Sequence, residues 1–339
     1  MNSRTRISRL IAREPADHPG FWLGNPDPAT WPILHDYFGT QSDEELRVKL
    51  GDDFRWFAPD VHSQAYEHPR KRDLFDLGFA KTRHGQAGPF ANCVDPGAVD
   101  DYEWPSVEHV NLTDTIKTLR SFKHTYRASG FWTAFYHHVM DLFGMEHYLV
   151  KMYTHPQVVH AVTDRVCQFF YDANELFFKK AGDDCEAFFF GNDFGTQRDL
   201  IMSPRFFDQF VMPWFKTFTD LGHRYGKQVI LHSCGSIYRV IPRLIAAGVD
   251  CLHPLQAQAA NMDAEYLARE FGNTITFLGG IDTQGIMPYG APQDVREEVL
   301  RVQKILGPHL IISPSHEAIL PDVPPENVAA LAQAAHTFS

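Results

Sequence analysis

The stretch Gln228-Val229-Ile230-Leu231-His232-Ser233-Cys234-Gly235-Ser236 governs the reading of this chain. Its apolar run predicts a strand over 228–231. Successive side chains of a strand alternate faces, so His232 and Cys234 present an imidazole and a thiol side by side. That pair suits zinc, a borderline-soft ion with an affinity for nitrogen and sulfur. A His and a Cys that merely pack in a core would look the same, since free Cys is often buried. The residues that follow point to the fold. Ile237, Val240, Ile241, Leu244 and Ile245 fall at helical spacing over 236–247, and Gly248 supplies a stop. Next come a strand over 249–252, a helix over 263–271 closed by Gly272, and a strand over 274–278 leading into Gly279-Gly280-Ile281-Asp282. A helix over 292–306 has Pro292 in its first turn, and a strand over 310–313 and a helix over 325–336 complete the series. Four strand-then-helix units in succession predict a parallel sheet with right-handed crossovers.

Upstream the alternation is less regular. Residues 186–190 read as an apolar strand ending in Gly191-Asn192-Asp193, and 204–225 as a helix. Residues 130–136 read as a strand, with helices over 141–153 and 156–180. Residues 1–110, rich in Pro, Trp and Asp, read as an N-terminal elaboration with one or two embedded strands. With no repeat or low-complexity linker in view, the expectation is one domain over 1–339.

Composition bounds the function. At 339 residues the chain is long enough for one large α/β barrel, and 44% hydrophobic residues can fill its core. A formal charge of −11, from 31 basic and 42 acidic residues, argues against a nucleic-acid surface. The start Met1-Asn2-Ser3-Arg4-Thr5-Arg6-Ile7 lacks the apolar core of a signal peptide, and no run approaches the length of a membrane span. Cysteines at 93, 167, 185, 234 and 251 form no paired framework, so the expected compartment is a reducing cytoplasm.

The polar residues gather by position. Asp193, His232 with Cys234, His253 with Gln256, Asp282 with Gln284, and His316 with Glu317 each follow the end of a different strand. In a (β/α)8 TIM barrel those ends share one face. A doubly wound sheet would gather them less completely, so the barrel is the expected fold.

Four motifs carry a family resemblance: Phe190-Gly191-Asn192-Asp193-Phe194-Gly195-Thr196-Gln197, Leu231-His232-Ser233-Cys234-Gly235-Ser236, Gly279-Gly280-Ile281-Asp282-Thr283-Gln284, and the run from Ser313-Pro314-Ser315-His316-Glu317 to Pro325-Glu326-Asn327-Val328. They resemble the uroporphyrinogen decarboxylase superfamily, over 120–339 well and over the N-terminal part poorly. The resemblance implies a (β/α)8 barrel and offers two chemistries. Porphyrinogen decarboxylases of the family work without metal and grip substrate carboxylates through a motif of the type Arg-Gln-Ala-Gly-Arg-Tyr. The corresponding stretch here, His18-Pro19-Gly20-Phe21-Trp22-Leu23-Gly24-Asn25-Pro26, holds no arginine, and a cluster of carboxylates needs guanidinium forks or an equivalent.

The other branch comprises zinc-dependent methyltransferases that move methyl groups between a corrinoid protein and a thiol or other acceptor. Its signature is His-x-Cys followed much later by a third ligand, usually Cys. His232 and Cys234 match the first part, and the third position falls near His316, a departure that leaves His316 as either a metal ligand or a substrate contact. Cys251 and Glu317 are rival ligands. Asp193 and Asp282 are candidates for acid–base work or for orienting a ligand histidine, although Asp also commonly caps the helix after its strand. Gln197 and Gln256 are candidate substrate contacts, and Tyr136 resembles a pocket tyrosine of the decarboxylases, within a stretch aromatic enough to be core. His137 and His138 are adjacent and point apart if extended, which argues against a joint metal site. With no Asp-x-His-x-x-Gly signature present, any corrinoid is expected on a separate protein.

The leading expectation is therefore a zinc-dependent methyltransferase with a small methylated substrate or thiol and a corrinoid-protein partner. The alternative is a metal-independent decarboxylase or lyase of a small or porphyrin-like acid, with His316 and an Asp as acid–base pair. A passive binding barrel has no use for a thiol beside a histidine. A homodimer is what the family suggests.

Overall fold

The structure, a computed structural model, describes residues 1–59, 65–69, 74–75 and 87–337. Eight strands form one sheet: β1 Gly20–Phe21, β2 Phe54–Phe57, β3 Tyr126–Ser129, β4 Ala187–Gly191, β5 Gln228–His232, β6 Cys251–His253, β7 Thr276–Ile281 and β8 Leu310–Pro314. Each pairs in parallel with its sequence neighbour from β2 to β8, and β8 pairs with β1. The remaining seam, between β1 and β2, is bridged without a ladder. The Asp53 N–H donates to the Phe21 carbonyl at 2.9 Å, and the Phe21 N–H donates to the Asp53 carboxylate at 3.1 Å. Arg6 holds the other oxygen of that carboxylate at 2.7 Å. The result is a nearly closed (β/α)8 barrel with helices around it.

The C-terminal units follow the local chemistry that announced them. Gly248 ends the helix Ile241–Ala247 at φ 106°, a left-handed conformation that a side chain disfavours. Asp263 caps Ala264–Phe271 by accepting the Tyr266 N–H at 2.9 Å. Pro292 opens Pro292–Leu306, and the Asp294 carboxylate accepts the Ala291 N–H at 2.8 Å. The helix expected over 236–247 is shorter, because 236–240 turn before it starts. The helix expected over 204–225 carries a π-helical turn at Phe207–Val211.

The upstream expectations change more. Residues 130–136 are not a strand. The strand is Tyr126–Ser129, Gly130 leaves it at φ 107°, and Phe135 begins the helix Phe135–Phe143. Arg127 disguised that strand: its side chain points away from the barrel interior into a buried ion pair with Glu186 at 2.7 Å. The N-terminal region is part of the barrel, since it supplies β1 and β2. Residues 60–64, 70–73 and 76–86 of it lie outside the described residues.

The helix Ser3–Ile11 closes the N-terminal end of the barrel. Gln228 donates to the Ser8 carbonyl at 2.9 Å and Thr276 to the Leu10 carbonyl at 2.7 Å. A Cβ on Gly20 would lie 2.3 Å from Ile7, so the helix can sit this close only because β1 has a glycine there. Above it Trp22, Phe54, Phe189, Ile230 and Ile311 fill the interior, with Leu10 of the helix packed beneath them. A second apolar layer packs between sheet and helices. At about 25 cal/mol per Å² of apolar surface removed from water, these two layers hold the fold. No helix among the described residues is long and apolar enough to cross a membrane.

Candidate metal centre

The C-terminal end of the barrel is where the interior turns polar. On β5 the inward positions are Ile230 and His232, and just past the end of the strand the Cys234 sulfur lies 3.4 Å from His232 Nε2. The period-2 spacing thus produces the juxtaposition it implied. His253 on β6 is in register with His232, and the two Nδ1 atoms lie 3.0 Å apart. From the β4 end, Asp193 places Oδ1 3.3 Å from His232 Nε2 and accepts the Cys234 N–H with the same oxygen at 2.8 Å. From the β8 end, Glu317 places Oε2 3.5 Å from His232 Nδ1. Two compact trios therefore share one imidazole: Asp193, His232 and Cys234 on its Nε2 side, and His232, His253 and Glu317 on its Nδ1 side.

Aromatic rings wall this centre. Trp132 stands edge-on to His232 at 5.4 Å and against Trp56 at 5.1 Å. Trp22 and Phe189 lie 5.2 and 5.3 Å from the His253 ring. Gly191 makes room for Trp132, since a Cβ there would meet the indole at 2.1 Å. Burial among these rings strengthens every charge interaction at the centre.

The electrostatics favour a cation on the Nε2 side. Burial alone would make His232 less basic, but Asp193, Cys234 and Glu317 override it and hold its pKa well above the usual histidine value. Burial would likewise raise the Asp193 carboxyl, yet the His232 imidazole and the Cys234 N–H keep it far below the usual carboxylate range. The Cys234 thiol is pushed up by burial and pulled down further by His232 and His316, so that it ionises more readily than a free cysteine. His316, whose pKa is raised chiefly by Cys234 and also by Glu317, stands half-exposed at the rim and outside both trios. Burial and the neighbouring His232 and His316 push His253 well below the usual value, so it is neutral. The donors suit a divalent soft-to-borderline ion: an acidified thiol, an imidazole nitrogen turned toward that thiol, and carboxylates to balance charge. Glu317 Oε2 is buried with no hydrogen-bond partner among the described residues, as expected of a group whose counterpart is a charge.

The other expected site residues fall elsewhere. Cys251 is not at the centre. It is buried in the interior layer two residues before His253, and burial pushes its thiol well up. Asp282 accepts the N–H groups of Gln284 and Ile286 and a Gln258 amide, so it caps its own loop and the short helix Ile286–Tyr289. Gln256 accepts the Gly235 N–H at 2.6 Å and holds the loop carrying Cys234. Gln197 is exposed. Tyr136 lies in the first turn of Phe135–Phe143, its hydroxyl buried and without a partner among the described residues and its pKa raised by burial. His137 and His138 are helical, and neither belongs to the trios. Sequence reasoning put His253 at the strand ends without a role. The signal that would have given it one is parity, because Cys251-x-His253 runs inward beside Ile230-x-His232.

A parallel eight-stranded barrel with a histidine–thiol centre at its C-terminal mouth defines an enzyme-like class. The uroporphyrinogen decarboxylase (URO-D) profile matches residues 88–338, and the chain belongs to that family. It is 27% identical over 115 residues to the methylated-thiol–coenzyme M methyltransferase of Methanosarcina mazei; the match spans 32% of this chain and 28% of that protein. A solved structure titled as a methyltransferase from Methanosarcina mazei superposes with a TM-score of 0.68 at 16% identity, covering 99% of this chain and 98% of the other, which shows the shared fold. Both relatives carry methyltransferase names, the branch this sequence resembles more than the porphyrinogen decarboxylases.

Proposed function

We propose that the chain is a zinc-dependent methyltransferase of the cytoplasm, moving a methyl group between a small methylated substrate or thiol and a corrinoid held by a separate protein. The observation that supports this most is the Cys234 thiol, acidified by His232 and His316 at the mouth of the barrel. His232 through Nε2, Cys234 through sulfur, and His316 are the proposed zinc ligands. Asp193 Oδ1 already accepts the Cys234 N–H, which suits it to balancing charge and fixing the loop. When bound, zinc would supply a Lewis acid that lowers the pKa of a thiol or polarises a methylated heteroatom.

The chain's own groups do the rest. Gln256 and Asp193 pin the loop after β5 so that the thiolate keeps its place. Trp132 and Trp56 wall one side of the centre. Asp282 and Tyr136, which belong to neither trio, are left to loop capping and helix packing.

The decarboxylase alternative needs cationic groups to receive several carboxylates. Arg47, near the end of β1, is engaged by Asp52, Gly24 and Asn25, and Arg55 by Glu44. The test is methyl transfer from free methylcobalamin to a panel of small thiols by zinc-supplemented protein, followed by the cobalamin spectrum. Turnover that disappears in Cys234→Ser is the expected result. Release of carbon dioxide from a carboxylate substrate without metal would replace this reading.

A further inference from the structure

The His232 imidazole has two faces, and the proposed ligand Cys234 lies on one of them. The Nε2 face looks toward Cys234 and Asp193, and the Nδ1 face toward His253 and Glu317. Two Nδ1 atoms 3.0 Å apart can share only one proton between two neutral rings. If His253 carries it, the neutral His232 must hold its own proton on Nε2, where the lone pair is needed. If His232 carries it, Nε2 is free and His253 accepts.

We propose that His253 and Glu317 are positioning residues that lock His232 in its Nδ1–H tautomer, leaving Nε2 to bind the metal. This rests on the proposed function. Three observations carry it. Register places His253 directly beside His232 on the neighbouring strand, and both are buried. Glu317 Oε2 lies 3.5 Å from His232 Nδ1, so its charge favours the proton on that nitrogen. His253 Nε2, which carries its proton in this arrangement, is buried against Trp22 and Phe189 with no donor among the described residues that would claim it as an acceptor and pull the pair into the opposite tautomer. Metal-bound histidines usually donate their other N–H to a carboxylate or carbonyl. Here the acceptor is a second imidazole, with the carboxylate one step aside.

The test uses zinc alone as the probe. In zinc-loaded protein with ¹⁵N-labelled histidine, His232 is expected as Nδ1–H and His253 as Nε2–H, each assigned by its substitution. By chelator competition, His253→Phe should weaken zinc binding about 10- to 100-fold, and Glu317→Gln should act in the same direction. His253→Asn, whose amide oxygen stands in for Nδ1 as acceptor, should recover most of the loss, which a merely structural role would not produce. A proton on His253 Nδ1, or wild-type affinity in His253→Phe while Cys234→Ser loses zinc, would overturn the lock and leave the proposed function standing. Wild-type zinc binding in Cys234→Ser would overturn the proposed function, and the lock with it.

Discussion

The two ends of this barrel differ in how their most buried charged groups are paired. At the N-terminal end charges are matched: Arg6 bridges Asp17 at 2.8 Å and Asp53 at 2.7 Å, and Arg127 meets Glu186 at 2.7 Å. At the C-terminal end, His253 Nε2, Glu317 Oε2 and the indole nitrogens of Trp22 and Trp56 are buried without hydrogen-bond partners among the described residues, and Glu317 has only longer ion-pair approaches to His232 and His316. Leaving such groups unmatched costs about 1–3 kcal/mol each. A fold keeps that arrangement where a ligand or a reaction uses it. The closed end holds the barrel, and the open end carries the proposed chemistry.

Substitutions at each end should therefore separate stability from activity. The largest stability effect is expected at the closed end. Asp53→Ala leaves Arg6 without its most buried partner and removes a brace of the β1–β2 seam, so denaturant unfolding should show a loss of about 3–5 kcal/mol. A loss below 1 kcal/mol would mean that the seam does not depend on this carboxylate. At the open end the order reverses. Cys234→Ser should lower methyl transfer by about 100-fold or more, while its melting temperature stays close to that of the wild type. Comparable losses in both quantities would place Cys234 in the packing instead. Asp193→Asn removes the charge beside His232 but keeps an acceptor for the Cys234 N–H. Zinc content should persist and methyl transfer fall by about 10-fold.

The smallest effect is a pH dependence at the closed end. The hydrogen bond from Arg6, working against burial, holds the Asp17 carboxyl below the usual carboxylate range in the folded state. The unfolded chain therefore binds a proton there at higher pH than the folded chain does. The stabilisation is fully present above the unfolded carboxylate range and is lost as pH falls through and below it. A wild-type advantage over Asp17→Asn at pH 7 that shrinks steadily on acidification is the expected outcome. An advantage that does not change between pH 7 and pH 2 would contradict the ion pair's role.

The same asymmetry explains what could be read from the sequence. The last four strands were legible because they are apolar, flanked by Gly248, Pro292 and similar punctuation, and buried on both faces. The His232–Cys234 pair was legible because a period of two is a rigid geometric statement. β1 was not, for two residues carry no periodicity, and their place is set by Asp53 and by the helix Ser3–Ile11, both far away in sequence. β3 was hidden by Arg127, whose charge is acceptable only because Glu186 meets it across the fold. For Cys251 and Asp282 the sequence reveals that each lies near a strand end, but not at which height its side chain sits or what it meets. Cys251 sits one layer too low, and Asp282 folds back onto its own loop. The partnership of His232 and His253 depends on a register between strands, which no single segment encodes.

The central claim is that the open end is a zinc centre, and metal content tests it most directly. Protein purified without chelator would be analysed by mass spectrometry as wild type, Cys234→Ser and His316→Ala. The account predicts about one zinc per wild-type chain, none in Cys234→Ser and a reduced amount in His316→Ala. A wild-type protein that holds no zinc and takes none up when zinc is supplied would contradict it.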